Sequence, residues 1–234
     1  MSDNELDTNM FGTQLVGTET DPQSLEKQLT LYQQHLAELP DSASEVDRAR
    51  VLLDIAETQL ALEQKEASWT TARKALGIFL QHEQWQEAVE SCNVLFQTEQ
   101  PASLAALGQG VWLAVTFPIQ PDTTIAMLQH IVEETPNDSD GAAVAAITAH
   151  FIADIRATED KHHSLTFLTQ NIIGQVAKRH SNVSTQAELE AWMDKLHLKE
   201  PQEFLPRLAT VIDVLVQDDW WFDRDELRKK LPVH

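Results

Sequence analysis

The chain lacks several features on which other classes of protein depend. Its 234 residues include one cysteine, Cys92, so neither an intramolecular disulfide nor a cysteine zinc site can form. A chain of this length can bury about 70% of its unfolded surface without such cross-links. The absence of disulfides favours a reducing compartment, and we therefore predict a cytoplasmic protein.

Glycine and long apolar runs are also scarce. The seven glycines are scattered, and the pair Gly108 and Gly110 lies within a helical pattern rather than in a phosphate-binding loop. No window approaches the ~20 apolar residues that a membrane span needs, and the first residues carry acids where a signal peptide would carry lysine or arginine. No Gly-x-Ser-x-Gly motif occurs. These absences favour a non-enzymatic protein without a cofactor.

Positive charge is scarce overall and missing from the middle of the chain. The net charge is −20, and residues 75–155 contain ten acids without one lysine or arginine. Nucleic acids and anionic membranes are bound through basic residues, so neither is an expected partner. The charge either keeps the surface hydrated or attracts a basic polypeptide, for which the candidate contacts are Glu83, Glu87, Glu90 and Asp122.

Helical periodicity is what the sequence has in abundance. Apolar residues recur every three or four positions, and no stretch alternates as a half-buried strand does. Proline falls near the boundaries between these segments, where a helix tolerates it, except at Pro206. The spacing predicts helices at about 22–39, 45–64, 67–82, 84–98, 102–116, 122–134, 140–157, 161–179, 185–197, 202–217 and 224–231.

Short loops between such helices predict antiparallel neighbours. Pairing the helices in order predicts an all-α fold, an α-solenoid of about five hairpins that start near 22, 67, 102, 140 and 185. Segments 102–116 and 142–155 are apolar almost all round and are expected in the middle of the stack. The expected organisation is a disordered acidic leader over 1–20, a helical-repeat domain over 21–217 and a capping segment with a short helix over 218–234.

One stretch resembles a known repeat family. Residues 74–101, KALGIFLQHEQWQEAVESCNVLFQTEQP, are similar to a tetratricopeptide repeat through Leu76-Gly77, Trp85, Glu87-Ala88 and Pro101. The interval from Gly77 to Ala88 is one residue shorter than in the family, and no glycine marks the turn before Trp85. The resemblance implies stacked helical hairpins whose surface holds a segment of a partner protein.

Histidines raise the alternative of a helical-bundle enzyme or metal-binding protein. His162 and His163 follow Glu159 and Asp160 at a spacing of three, which is half of a carboxylate-bridged metal site. No second Glu-x-x-His occurs, so we expect no native metal site. Cys92 lies on an apolar helix face without a cationic neighbour in sequence, and we expect it to be buried and unreactive.

The aromatic cluster near the C-terminus, Trp220-Trp221-Phe222, supports two hypotheses. It precedes a short helix that Asp223 is expected to cap, with Glu226 three positions later. The cluster either seals the apolar end of the protein's own stack, which we favour, or is an exposed site for a partner.

The predicted function is a protein-interaction module, an adaptor or assembly factor that binds another polypeptide, with a basic segment as the expected ligand. A homodimeric structural protein is a second alternative, in which apolar faces of terminal helices pair between two copies.

Overall fold

The computed structural model describes residues 21–231. These residues form eleven helices: α1 (Pro22–Glu38), α2 (Glu45–Ala61), α3 (Lys65–Gln81), α4 (Trp85–Gln97), α5 (Ser103–Thr116), α6 (Pro121–Glu134), α7 (Asp140–Arg156), α8 (Glu159–Ser181), α9 (Gln186–Lys195), α10 (Pro201–Val216) and α11 (Arg224–Arg228). No strand occurs within this part of the chain. The prediction of an all-α protein is therefore confirmed for 21–231, and the predicted leader lies outside the described residues.

Side-chain caps mark several helix starts where the sequence predicts them. Asp21 accepts a hydrogen bond from the backbone N–H of Gln23. Thr185 and Glu188 form the predicted capping box, because each side chain accepts from the other residue's backbone N–H. Helix α8 differs most from its predicted range of 161–179, since it begins at Glu159 and ends at Ser181. Helix α10 begins at Pro201 and continues through Pro206.

The helices are arranged in two sets that differ in how their members touch. Helices α2, α4, α6 and α8 contact one another in succession, and we call them the even layer. Helices α3, α5 and α7, the odd layer, pack mainly against their even-numbered neighbours. The most extensive pairs are α2 with α3, α4 with α5 and α6 with α7, one helix out of phase with the predicted hairpins.

Polar contacts among the first three helices of the even layer recur at a constant sequence interval. Arg50 on α2 donates to Glu87 on α4, and Asn93 on α4 bonds to His130 on α6, both across 37 residues. Gln86 on α4 reaches Thr123 on α6 across the same interval. Helices α2, α4 and α6 therefore lie side by side in the same direction and in nearly the same register, whereas the contact of Lys161 on α8 with Asp122 on α6 spans 39 residues.

Helix α10 does not pair with α9, in contrast to the fifth hairpin predicted from the spacing. It packs across α5 and α7, and its buried residues are Phe204, Leu208, Ile212 and Val216. Gly108 on α5 makes this approach possible, because a Cβ atom there would lie 2.6 Å from Cγ2 of Val216 and 3.3 Å from the carbonyl oxygen of Ile212. Helix α10 thus fills the space between two odd helices.

The two most apolar segments form the centre of the core, as predicted. Helices α5 and α7 are buried along almost their whole length, which confirms their central position. Gly110 on α5 faces α4 and α6, and a Cβ atom there would lie 2.7 Å from Cβ of Cys92 and 2.5 Å from Cε of Met127. The two glycines of the Gly108-Gln109-Gly110 triplet therefore serve close helix packing on different sides of α5.

Turns between the two layers use glutamate where glycine is more common. Glu63, Glu83 and Glu99 follow the ends of α2, α3 and α4, and their φ angles are 57°, 57° and 55°. This left-handed backbone satisfies the last carbonyls of a helix and normally favours glycine. The missing glycine before Trp85 is thus replaced by Glu83 in a left-handed conformation.

Candidate partner-binding surfaces

The C-terminal aromatic cluster lies against the protein's own odd layer. Trp221 meets Trp69 of α3 edge to face, with ring centroids 5.9 Å apart. Trp220 and Phe222 both contact Trp112 of α5, at 6.2 Å and 5.5 Å. All three side chains of the cluster are partly buried. We call residues 217–231 the C-terminal strap, and the surface of α3 and α5 beneath it the strap groove.

A buried glutamine in the groove holds the backbone of the strap. The side chain of Gln109, which is fully buried, accepts a hydrogen bond of 2.7 Å from the backbone N–H of Trp221. Its Nε2 donates to the backbone carbonyl of Asp219 at 3.3 Å. Because both contacts go to backbone atoms, Gln109 fixes the register of the strap whatever side chains the strap carries.

Basic side chains cover the aromatic rings of the strap and groove. Arg73 on α3 places its guanidinium carbon 3.7 Å from the ring centre of Trp221, and Arg224 lies 4.1 Å from that of Trp220. Stacking of this kind on an indole contributes about 0.5–2 kcal/mol per pair, depending on how dry the pair is. The strap is therefore attached through edge-to-face and tilted ring contacts and through the cation–π contact of Arg73, as well as through Gln109.

The short helix at the end of the strap has the N-cap that the sequence predicts. Asp223 accepts hydrogen bonds from the backbone N–H groups of Asp225 and Glu226. The side chain of Glu226 pairs with Lys229 at 2.6 Å, a contact within the helix. Leu227 is buried, and this residue attaches α11 to the core.

Three of the four acids predicted to contact a partner already have basic partners within the protein. Glu87 pairs with Arg50 of α2 at 2.9 Å, and Glu83 pairs with Lys230 of the strap at 3.0 Å. Asp122 is buried at the start of α6 and pairs with Lys161 of α8 at 2.5 Å. The structure places these three acids in contacts between its own elements.

Glu90 differs from the other three predicted acids. It accepts a hydrogen bond from Gln86 of the same helix at 2.8 Å, and burial raises its pKa. Asp54 and Glu57 of α2 lie near it, and we call these three carboxylates the acidic surface. Burial also raises the pKa of Asp54, with a smaller opposing effect from His35.

Glu57 is the most perturbed carboxylate in this group. Burial, followed by repulsion from Asp54 and Glu90, raises its pKa to about 7. Its side chain nevertheless reaches solvent. Solvent therefore screens part of this effect, while the three carboxylates remain close enough to repel one another.

Sequence reasoning missed the residues that matter most at both surfaces. Asp54 and Glu57 lie in a part of the chain with balanced charge, so no excess of acidic residues marks them. Their spacing of three along a helix was the available indication. Gln109 lies between two glycines. No local sequence pattern indicates that a buried side-chain amide will bond to the backbone of a distant segment.

The histidines considered for a metal site have other contacts. His162 bonds to Asp154 of α7 at 3.1 Å near the surface, and its neighbour His163 is exposed. His130 of α6, which does not belong to that pair, lies against Phe96 with ring centroids 4.7 Å apart, and burial lowers its pKa. Within residues 21–231, no group of three or more histidine, cysteine or acidic side chains is arranged to hold a metal ion.

Cys92 is buried, as the sequence predicts. Burial raises the pKa of its thiol to about 12, and the smaller effect of Arg73 opposes this rise. A thiol with such a pKa is almost entirely protonated at neutral pH, so it is a poor nucleophile and metal ligand.

Comparison with known proteins adds no assignment, since no protein family, curated protein or solved structure matches the chain. None of the helices in the described residues is long and apolar enough to cross a membrane.

Proposed function

We propose that this protein is a non-enzymatic interaction module of the helical-repeat type, which binds a basic segment of a partner polypeptide on its even layer. The observation that carries the proposal is the interval of 37 residues shared by the contacts of α2 with α4 and those of α4 with α6. Such an interval is expected of a stack built from repeated two-helix units, the arrangement found in solenoids.

The two layers support a curved stack. Even helices touch one another directly, whereas the space between α5 and α7 is filled by α10 and the strap lies over α3 and α5. In a bent stack of hairpins, helices on the inner side approach closely and those on the outer side splay apart. The even layer is then the concave side, which solenoids use to hold extended ligands.

The acidic surface specifies the chemistry of the ligand. Asp54, Glu57 and Glu90 come together between α2 and α4, and burial, followed by their mutual repulsion, raises the pKa of Glu57. A lysine or arginine from another chain would relieve this repulsion and would gain from the partly desolvated setting. A partner segment with basic residues is therefore the ligand that this surface fits.

The test is binding of a fluorescent Lys/Arg-rich peptide to the full chain at low and high salt. We expect affinity to fall with rising salt and to fall by about thirtyfold in Glu57→Gln/Glu90→Gln, because each of the two lost ion pairs near the surface contributes about 1 kcal/mol. The control is Glu66→Gln on α3, which removes one charge from the odd layer, so the losses of binding free energy are compared per charge removed.

Equal losses of binding free energy per charge removed in Glu57→Gln/Glu90→Gln and in Glu66→Gln would mean that only net charge attracts the peptide. Binding that is insensitive to salt would contradict the electrostatic part of the proposal.

A further inference from the structure

We propose that the C-terminal strap is exchanged between two copies of this chain, so that the strap of one copy occupies the strap groove of the other. The strap groove is a peptide-binding site whose ligand is present in the same polypeptide. This proposal concerns the odd layer and is independent of the basic ligand proposed for the even layer.

The chemistry of the groove is that of a site for an extended peptide. Gln109 bonds to the backbone of Asp219 and Trp221, while Trp69, Trp112 and Arg73 contact aromatic side chains of the strap. None of these contacts requires that strap and groove belong to the same molecule. A second copy supplies an identical strap, so it fits the same contacts without any change of sequence.

The residue that joins α10 to the strap is held in an unfavourable conformation. Gln217 has φ 52° and ψ −124°, a combination that glycine adopts and that other residues rarely do. A hydrogen bond of 3.0 Å from the N–H of Asp219 to the carbonyl of Val216 closes the turn. This turn directs the strap back over its own groove.

Exchange would remove the strain while keeping the contacts. If the chain continues away from α10, Gln217 can adopt ordinary extended backbone, and the strap then enters the groove of a second copy. A strained short hinge with a transferable terminal segment is the arrangement that favours domain swapping. The dimer releases the strain energy of Gln217 in both copies. This gain opposes the entropy lost on association.

The first experiment uses two complementary full-length variants. Gln109→Leu/Trp69→Ala damages the groove and leaves the strap intact, whereas Trp220→Ala/Trp221→Ala damages the strap and leaves the groove intact. A mixture can form one native strap–groove joint between two different chains. We expect native mass spectrometry to show a 1:1 heterodimer, twice the 26.4 kDa chain mass, about tenfold more abundant than either homodimer.

The second experiment tests the hinge in the otherwise unchanged protein. Gln217→Gly accepts the turn without strain, whereas Gln217→Ala keeps the strain and removes the same side chain. We expect the dimer dissociation constant of the glycine variant to be about tenfold or more above that of the alanine variant, since two hinges contribute.

The two experiments also define what would overturn the proposal. A mixture of the complementary variants that contains only monomers shows that the strap binds its groove only within one chain. Equal dimer fractions in Gln217→Gly and Gln217→Ala show that the hinge does not drive exchange. A heterodimer that depends on salt but not on Trp220 and Trp221 would point to a different interface.

Discussion

The two sides of this helical stack differ in what covers them. On the odd side, α10 lies across α5 and α7, and the strap lies across α3 and α5. On the even side, helices contact one another directly and leave Asp54, Glu57 and Glu90 close together. The odd side is covered by the protein's own C-terminal residues, and the even side carries the repulsion that a foreign polypeptide would relieve.

This difference shows that a conspicuous aromatic cluster in a sequence can pack against its own chain. Trp220, Trp221 and Phe222 are the most conspicuous cluster in the sequence, yet their contacts are internal. The less conspicuous Glu57 is a carboxylate whose pKa the fold raises to about 7. Buried or half-buried aromatics stabilise a fold, whereas carboxylates that repel one another stabilise neither layer.

Removing residues 218–234 is expected to have the largest effect, because it uncovers the odd side. The loss of three partly buried aromatic side chains and of Leu227 should cost about 3–5 kcal/mol, which lowers the melting temperature by about 10 °C in a chain of this size. Differential scanning calorimetry measures the effect, and static light scattering detects the aggregation expected from the exposed groove. An unchanged melting temperature would show that the strap does not seal the core.

An intermediate effect is expected where α10 meets the odd layer. Gly108→Ala places a Cβ atom against Val216 and the backbone of Ile212, and overpacking of this kind costs about 1–3 kcal/mol. The control is Gly77→Ala on α3, where the Cβ atom would meet nothing within 4 Å and should stabilise the helix by about 0.5–1 kcal/mol. Urea unfolding measures the change in the free energy of unfolding of both variants. A change of the same sign in both would contradict the packing of α10 on Gly108.

The smallest effect concerns Glu57 on the even side and depends on pH. Its pKa rises from 4.5 to about 7 on folding, so the folded state binds the proton more tightly than the unfolded state does. The stability from this group is present below pH 4.5 and is lost as the pH rises to about 7. Glu57→Gln cannot ionise, so it should exceed the wild-type protein in stability at pH 8 by about 1 kcal/mol after allowance for solvent screening.

Chemical denaturation at pH 5 and pH 8 measures this difference. The two proteins should be nearly equal at pH 5, and the advantage of Glu57→Gln should appear only as the pH rises. A constant difference at both values would mean that Glu57 contributes through packing or hydrogen bonding rather than through its charge.

Local features of the fold could be predicted because they depend on neighbouring residues. The capping box of Thr185 and Glu188 and the N-cap at Asp223 lie where short sequence patterns place them. The position of α10 could not be predicted in this way. Its apolar face fits any apolar partner, and the choice of α5 over α9 depends on the space that Gly108 leaves.

The candidate sites were predictable only in part for a related reason. Glu90 was found from its position in a stretch without basic residues, and it does lie beside other carboxylates. Glu83 and Glu87 were chosen by the same reasoning, but Lys230 and Arg50 reach them from distant parts of the chain. A count of charges along the sequence cannot show which of them will be paired in space.

The sequence by itself determined the helices, their caps, the negative charge and the burial of α5 and α7, because each follows from apolar spacing or composition within one segment. Only the tertiary structure decided that the C-terminal residues return over α3 and α5, that Gln109 holds their backbone, and that Asp54, Glu57 and Glu90 meet. The physical reason is that these contacts join residues from about 30 to more than 100 positions apart, where close approach and desolvation depend on every helix between them.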